Sequence, residues 1–419
     1  MVMLFIASAV AGAQQNPVAA GPADLTGQAG PAGGGTLHYD LRYAQTARFG
    51  GIQGDQQESF VSGDASFTGL SQWLPFSMQY GGGYGWVWSG PPEPGNLFQH
   101  LKLSQGIIRR TWKLTASDDV NYTFETPTTG FSGIPGTGEP IGGSGSTTPP
   151  ALTILTVNTR ILNNITTASA AIRLDYATTL NLTGVEEVLR YIDDNGQNMN
   201  TLQSNASISR RLNALNSVSV QYDNSRFGYN GVTSTSPSGS PQTISNQSNT
   251  VQVMLQRQWN RRISTSGAIG PQWISSSVSA IMPSSTQFTA NASATDTFKS
   301  GSAGLFYSHR FTGGSGYMLG AESDTVGANY SRGFGRKLTV GVTGSYLRSA
   351  GLNSSDAIHA EYGGVQATRA LGRYFNVFAN YTATNQASSL SNAPNVLNSL
   401  SQVIGFGIGY SPREKRFKK

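Results

Sequence analysis

Apolar and polar residues alternate with a period of two along most of the chain, from Leu37 to Tyr410. Three of the apolar rows are Leu37, Tyr39, Leu41 and Tyr43; Phe375, Val377, Ala379 and Tyr381; and Ile404, Phe406, Ile408 and Tyr410. Alternation of this kind predicts β-strands with one apolar and one polar face. Several rows end in Tyr or Trp, whose amphipathic rings favour a membrane interface. We therefore expect an all-β protein whose strands face two different environments.

The polar faces consist mainly of Thr, Ser, Asn, Gln and Gly, as in the segment LTVGVTGSYL at 338–347. Hydrophobic residues make up 37% of the chain and charged residues 12%. This is too little apolar material for a large packed core and too little charge for ordinary disorder. No apolar run approaches the roughly 18 residues of a membrane helix, which excludes a helical membrane protein.

Short and long connections alternate between the expected strands. Short ones lie near 71–75, 109–111, 163–167, 210–213, 259–262, 312–315, 333–336 and 370–373, and long ones lie at 125–150, 183–199, 229–247, 276–297 and 384–398. A meander with two unlike ends is typical of an outer-membrane β-barrel, in which no backbone edge faces lipid. The fold class predicted is all-β, a single transmembrane up-and-down antiparallel β-barrel with short periplasmic turns and long extracellular loops. It has about 18 strands, and 16 is the alternative count.

The predicted division of the chain has four parts. Residues 1–13 are an apolar run ending in small residues and are interpreted as the remnant of a signal peptide. Residues 14–35 form a flexible lead-in, 36–411 the outer-membrane barrel, and 412–419 a basic periplasmic tail that carries most of the net charge of +6. The expected strands include 151–163, 167–180, 315–322 and 324–333. The glycines at 81–85 are expected to let side chains from across the sheet pack against the backbone, or to allow curvature of the barrel.

Arginines bracket several short turns in the pattern Arg, any residue, large apolar, Gly or Asn, Arg. The Gly or Asn supplies the positive φ that a tight hairpin needs. Each arginine would lie just outside the apolar band, either as a solvated turn charge or paired with a lipid phosphate. The candidate periplasmic-turn and lipid-headgroup residues are Arg257, Arg261, Arg332, Arg336, Arg369 and Arg373.

The sequence contains no residue pattern that indicates a catalytic or metal site. The chain has no cysteine, which rules out thiolate metal sites and cysteine catalysis, and its four histidines do not lie at metal-ligand spacing. Glu186, Glu187, Asp193 and Asp194 are expected in a solvated long loop, with weak cation binding as the alternative. We predict no enzymatic activity, no catalytic or metal site, no cofactor and no nucleic-acid partner.

Strand alternation also predicts which charged side chains point into the barrel. A barrel of this size encloses an aqueous interior unless internal pairs or a plug fill it, and small hydroxyl side chains would give it a wettable lining. The candidate lumen-lining residues are His38, Asp40, Arg42, His100, Lys102, Lys113, Asp119, Arg173, Asp175, Arg348, His359 and Glu361.

The apolar N-terminal run, the amphipathic strands, the arginine-bounded turns and the final strand QVIGFGIGY (402–410) together resemble those of porin-like outer-membrane β-barrels of Gram-negative bacteria. This group includes barrels found with exopolysaccharide-secretion systems. The resemblance implies location in the cell outer membrane, with outer-membrane lipid, the assembly machinery and an exopolysaccharide system as partners. The chain departs from the family in one respect. The last strand of such barrels ends the chain in an aromatic residue, whereas nine residues follow Tyr410 here.

Three functions are compatible with these features. The first is a porin-like channel that passes polar solutes through a Thr/Ser/Gly-lined lumen. The second is a non-conducting barrel that acts as a scaffold or adhesin through its long loops, and a component of polysaccharide export is a further alternative to the solute channel. The third is a secreted, soluble β-rich adhesin, against which the split between short and long connections counts.

Overall fold

The computed structural model describes residues 34–50, 54–69, 71, 73–90, 96–125, 159–192, 198–235, 241–277, 283–312, 320–352, 357–389, 399–413 and 415–418. The strands are β1 Gly34–Gly50, β2 Gln56–Gly69, β3 Phe76–Ser89, β4 Asn96–Ile108, β5 Trp112–Glu125, β6 Thr159–Arg173, β7 Thr178–Tyr191, β8 Asn198–Arg211, β9 Asn216–Thr235, β10 Pro241–Gln258, β11 Ile263–Ser276, β12 Ser285–Phe298, β13 Gly301–Thr312, β14 Ala321–Phe334, β15 Leu338–Gly351, β16 Ala357–Ala370, β17 Phe375–Ser388, β18 Ser399–Tyr410 and β19 Lys415–Lys418. Among these residues there is no helix of the length and apolarity that crossing a membrane requires.

Each strand from β1 to β18 pairs antiparallel with its neighbour in sequence, and β1 also pairs with β18. That last pairing runs from Leu41 opposite Tyr410 to Gly50 opposite Ser401. It closes the sheet into an up-and-down barrel of 18 strands, as the alternation predicted. Closure satisfies the edges of the first and last strands, which would otherwise present unpaired backbone groups.

The chain does not leave the barrel at Tyr410. After a break at Pro412, β19 pairs with the first residues of β1, with Lys415 opposite Leu37. The tail thus extends the β1–β18 seam at the short-turn end. Its location in the periplasm stays a prediction, and the predicted signal-peptide remnant and nearly all of the lead-in lie outside the described residues.

The predicted strand pattern is wrong in several places. The polar run at 163–167, interpreted as a turn, lies in the middle of β6, and the hairpin that follows is at 174–177. The loop predicted at 276–297 contains most of β12, whose residues are mostly Ser, Thr and Ala. Before its last residue, Phe298, the strand has a single large apolar side chain, that of Phe288. Of the expected strands 315–322 and 324–333, residues 321–334 form the single strand β14, and residues 315–319 lie outside the described residues. Alternation fails where both faces of a strand are polar or small, and the errors cancel in the strand count.

The two faces of the barrel wall differ in polarity. On one face, exposed apolar side chains lie opposite one another on neighbouring strands. Val220 of β9 lies opposite Val253 of β10, which in turn lies opposite Ile269 of β11. Side chains of non-adjacent strands meet on the other face, where Gln252 Nε2 of β10 donates to Thr289 Oγ1 of β12 at 3.1 Å. The second face is therefore the concave one. We call the first the outer face and the second the inner face.

Short hairpins at one end of the barrel share a common capping geometry. The Oδ1 atoms of Asp175, Asn213 and Asn260 each accept hydrogen bonds from the backbone N–H groups two and three residues later. Gly335 and Gly372 take the equivalent place in later hairpins with φ of 66° and 100°. The positive φ predicted for this place in the turn pattern is thereby confirmed for the two glycines, whereas Asn260 is shown to cap its hairpin.

Candidate functional site

Uncharged polar groups dominate much of the inner face. By register, the described inner faces of β10 to β12 and of β14 to β18 carry no charged side chain. Hydroxyl and amide groups there bond to one another, for example Gln272 Nε2 to Ser248 Oγ at 2.7 Å and Ser323 Oγ with Ser349 Oγ at 3.0 Å. Such a surface can hydrogen-bond water and polar solutes without attracting ions of one sign.

One group of charged inner-face residues lies on β1 to β5. Arg42 forms ion pairs with Asp40 and, at 3.5 Å, with Asp64. Asp119 lies 2.8 Å from His100 Nε2 and 3.4 Å from Lys102 Nζ. Five of the sequence-predicted residues are thus brought together in two neighbouring groups of opposite charges.

A second ion pair lies on β1 and β2, closer to the long-loop end of the barrel. Arg48 Nη2 is 3.3 Å from Glu58 Oε1, and Arg48 Nη1 donates to Gln56 Oε1 at 3.1 Å. The side chains of Arg48 and Glu58 are only 5% and 4% exposed. The sequence analysis missed this pair, although strand alternation places both residues on the polar face.

Of the other predicted lumen residues, three lie on the inner face near the short turns, one caps a hairpin and three lie on the outer face. His38 (3.4 Å from Ser411 Oγ), Lys113 and Arg173 lie on the inner face near the short turns. Asp175 is not on a strand, because it caps the hairpin at 174–177, and the backbone N–H groups of Ala177 and Thr178 lower the pKa of its carboxyl. That the inner-face residues line an aqueous passage stays a prediction.

Arg348, His359 and Glu361 lie on the outer face, so their expected lumen position is wrong. They stand in register with Asp324, Tyr346 and Asn385, on the same face as exposed Val326. His359 Nδ1 is 2.8 Å from Tyr346 Oη, and Arg348 Nη1 is 3.7 Å from Asp324 Oδ2. The reason is that the outer face itself turns polar toward the long-loop end, where alternation no longer separates lipid from water.

The glutamates predicted in a loop lie on β7 instead. Glu186 is on the outer face, whereas Glu187 is 4% exposed on the inner face beside Asn163 and Thr201. The loop assignment failed because β7 begins later than expected and extends to Tyr191. The second acidic pair, Asp193 and Asp194, lies outside the described residues.

The end of β13 leans across the inner face at the long-loop end. Pairing between β12 and β13 stops at Ala290 opposite His309, whereas β13 pairs with β14 as far as Thr312. The backbone N–H of Phe311 donates instead to Gln272 Oε1 of β11, at 3.0 Å. We call Arg310, Phe311 and Thr312 the β13 tip.

An apolar cluster holds this tip against the inner face of β9 to β11. Phe311 packs with Phe227, Tyr229, Ile244 and Ile274 of β9 to β11, all nearly inaccessible to solvent. Its ring meets that of Phe227 edge-on at 5.9 Å between centroids. Below the cluster, Arg310 and Asp223 share a small cavity lined also by Gln203, Ser225, Ser248, Thr250, Gln272 and Thr289. Sequence analysis missed the tip because its contacts join strands distant in sequence.

The turn arginines divide into two sets. Arg257, Arg332 and Arg369 lie on strands, on the outer face at the short-turn end, while Arg261, Arg336 and Arg373 lie in the hairpins. The guanidinium of Arg257 stacks over Trp259 at 3.9 Å, and that of Arg332 over Phe334 at 5.4 Å. Such stacking holds a guanidinium beside an interfacial ring.

Within the described residues no group of three or more His, Asp or Glu side chains is placed to hold a metal ion.

Comparisons with known proteins give structural matches alone. No protein-family model matches the sequence, and neither does any curated protein. The chain is similar in structure to the outer membrane protein OpdK of Pseudomonas aeruginosa, with 9% identity, a TM-score of 0.47 and coverage of 91% of this chain and 99% of that one. It is also similar to OccK2 (OpdF) of Pseudomonas aeruginosa, with 10% identity, a TM-score of 0.47 and coverage of 90% and 98%. For OccAB4 of Acinetobacter baumannii the identity is 8%, the TM-score 0.45 and the coverage 91% and 98%. These similarities describe overall architecture.

Proposed function

We propose that the protein is a porin-like outer-membrane channel for polar solutes. The observation that carries this proposal is the closed ring of 18 strands with an exposed apolar outer face and a polar inner face. Leu255, Ile269, Leu305 and Phe406 are each more than half exposed on the outer face. A water-soluble barrel would not leave such a belt in contact with solvent, whereas a membrane barrel covers it with lipid.

The inner face supports weak selectivity. Long stretches of wall carry no charged side chain and are rich in hydroxyl and amide groups. The charged part on β1 to β5 combines both signs. A passage with this lining admits neutral solutes and small ions of either sign. The proposed partners are outer-membrane lipid and the outer-membrane assembly machinery, and an association with an exopolysaccharide system stays a prediction.

A non-conducting barrel is the second candidate, and the β13 tip favours it. If the apolar cluster around Phe311 blocks the passage, the protein would act through its loops as a scaffold or adhesin. Swelling of liposomes containing the folded protein separates the two. Swelling in isotonic solutions of small neutral sugars supports the channel, and its absence for a barrel shown to be closed supports the scaffold.

Replacing Asp119 by Asn is expected to shift the ion preference of the channel toward anions, because a negative charge is removed and Lys102 loses its counter-charge. The cation-to-anion permeability ratio should fall about twofold. A unit charge about 8 Å away in water contributes about 0.5 kcal/mol, of opposite sign for cations and anions, and salt at about 0.15 M screens this to about 0.2 kcal/mol for each ion. Reversal potentials in a salt gradient measure this ratio. Asp118→Asn is the matched control, because Asp118 lies on the outer face bonded to Thr166 and should leave the ratio unchanged.

Replacing Phe311 by Ala is expected to increase single-channel conductance and the size of the solutes that enter. The change removes the ring that fixes the β13 tip over the inner face, while the backbone ladder with β14 remains. Phe406→Ala, on the outer face, serves as control. Equal conductance for Phe311→Ala and the unmodified protein would show that the tip does not narrow the passage.

A further inference from the structure

We propose that Arg257, Arg332 and Arg369 form a binding surface for anionic phospholipid headgroups at the short-turn end of the barrel. We call these three residues the arginine girdle. The inference rests on the proposed membrane location and adds a specific lipid class to it. On the proposed orientation, the girdle meets the periplasmic leaflet.

The level of the girdle on the barrel is the first argument. Along each strand the outer-face residue two positions toward the centre is apolar, and the residue two positions toward the hairpin is large, apolar and exposed. For Arg257 these neighbours are Leu255 and Trp259, and for Arg332 they are Tyr330 and Phe334. Arg369 lies between Ala367 and exposed Leu371. A guanidinium between two apolar contacts lies in the membrane interface, where lipid headgroups supply the hydrogen-bond acceptors.

The second argument is that the girdle has no acceptor from the described protein. In that part of the chain none of the three guanidinium groups makes a hydrogen bond or an ion pair, and Arg257 and Arg332 contact only the ring faces of Trp259 and Phe334. A stacked guanidinium still presents its N–H groups at the ring edge, and these donors fit phosphate oxygens in pairs. By contrast, Arg262 in the hairpin before β11 has an acidic partner, with 3.1 Å to Asp296.

The third argument concerns the sign of charge at this level. Three cations stand on β10, β14 and β16, and no outer-face carboxylate lies opposite them in the strand register. Arg332 lies opposite Gly301 and Val340, and Arg369 lies opposite Leu338 and Val377. A lipid with net negative charge neutralises them, whereas a zwitterionic lipid brings its own cation. Phosphatidylglycerol therefore fits better than phosphatidylcholine.

Lipid titration of the detergent-folded full-length protein, read by native mass spectrometry, tests the proposal. The unmodified chain should bind phosphatidylglycerol in preference to phosphatidylcholine. Each arginine near an anionic headgroup contributes about 1 kcal/mol, which is about fivefold in affinity. The three arginines stand at least about 10 Å apart, two or more strands from one another, so each meets a separate headgroup. The girdle variant Arg257→Gln/Arg332→Gln/Arg369→Gln should therefore bind phosphatidylglycerol about fivefold more weakly at each site.

The matched control removes the same charge from the hairpins, as Arg261→Gln/Arg336→Gln/Arg373→Gln. This variant should keep most of the preference. Equal losses in the two variants, or an unmodified protein that is folded but shows no preference for phosphatidylglycerol, would overturn the lipid surface alone. An unmodified chain without a faster-migrating unboiled band on SDS gels would contradict the membrane barrel as well.

Discussion

Replacing Arg48 by Met should destabilise the folded barrel by about 3–5 kcal/mol, the usual cost of leaving a buried charge without its partner. Arg48 and Glu58 are almost inaccessible, and Arg48 also holds the side-chain oxygen of Gln56. The Met side chain fills much of the same space, so the loss comes from the removal of the charge that Arg48 presents to the buried carboxylate of Glu58. Denaturant unfolding in detergent, followed by the loss of the unboiled band, measures it.

A double-mutant cycle separates this electrostatic effect from packing. Arg48→Met/Glu58→Leu removes both charges and should recover at least half of the stability lost in Arg48→Met, because apolar replacement of a whole buried pair is often neutral. If the double variant is as unstable as the sum of the single ones, the pair has no coupling. The contribution of Arg48 would then be one of packing.

Replacing Gly270 by Ala should impair assembly of the barrel. A Cβ at this position would overlap the carbonyl oxygen of Val251 and lie 2.8 Å from Gln252 Cα. Both are backbone atoms of β10, so the strand pair must separate to make room. Overpacking of this kind usually costs about 1–3 kcal/mol and sometimes more. The yield of folded protein on refolding into detergent should fall accordingly.

Gly184→Ala is the matched control for this change. Gly184 is also a strand glycine, in β7, but a Cβ there would meet no atom within 4 Å. Its refolding yield should equal that of the unmodified protein. Equal yields for both alanine variants would show that β10 and β11 do not approach as closely as the structure has them.

The fold class could be predicted because alternation persists through most strands. Leu41 and Tyr43 on β1, for example, face outward as the pattern requires, while Asp40 and Arg42 face inward. The glycines at 81–85 were also interpreted correctly, because the rings of Phe98 and Phe60 lie where Cβ atoms of Gly83 and Gly85 would be. Local sequence determines these features, since each depends on one strand and its neighbour.

The candidate site was less predictable, for physical reasons that differ by residue. Arg348, His359 and Glu361 were placed inside because charge was equated with the lumen, although the outer face is itself polar near the long loops. Asp175 was assigned to a strand because the preceding turn was placed too early. Contacts such as Phe311 with Phe227, or Gln252 with Thr289, join non-adjacent strands across the curved wall. No periodicity along one strand encodes that curvature.

Conductance in planar lipid bilayers tests the central claim most directly, with purified protein that migrates faster unboiled than boiled on SDS gels. The account predicts discrete conductance steps with weak ion preference, growing larger in Phe311→Ala. A protein that shows the gel shift but adds no steps, either unmodified or as Phe311→Ala, would contradict the channel and leave a closed barrel without a passage.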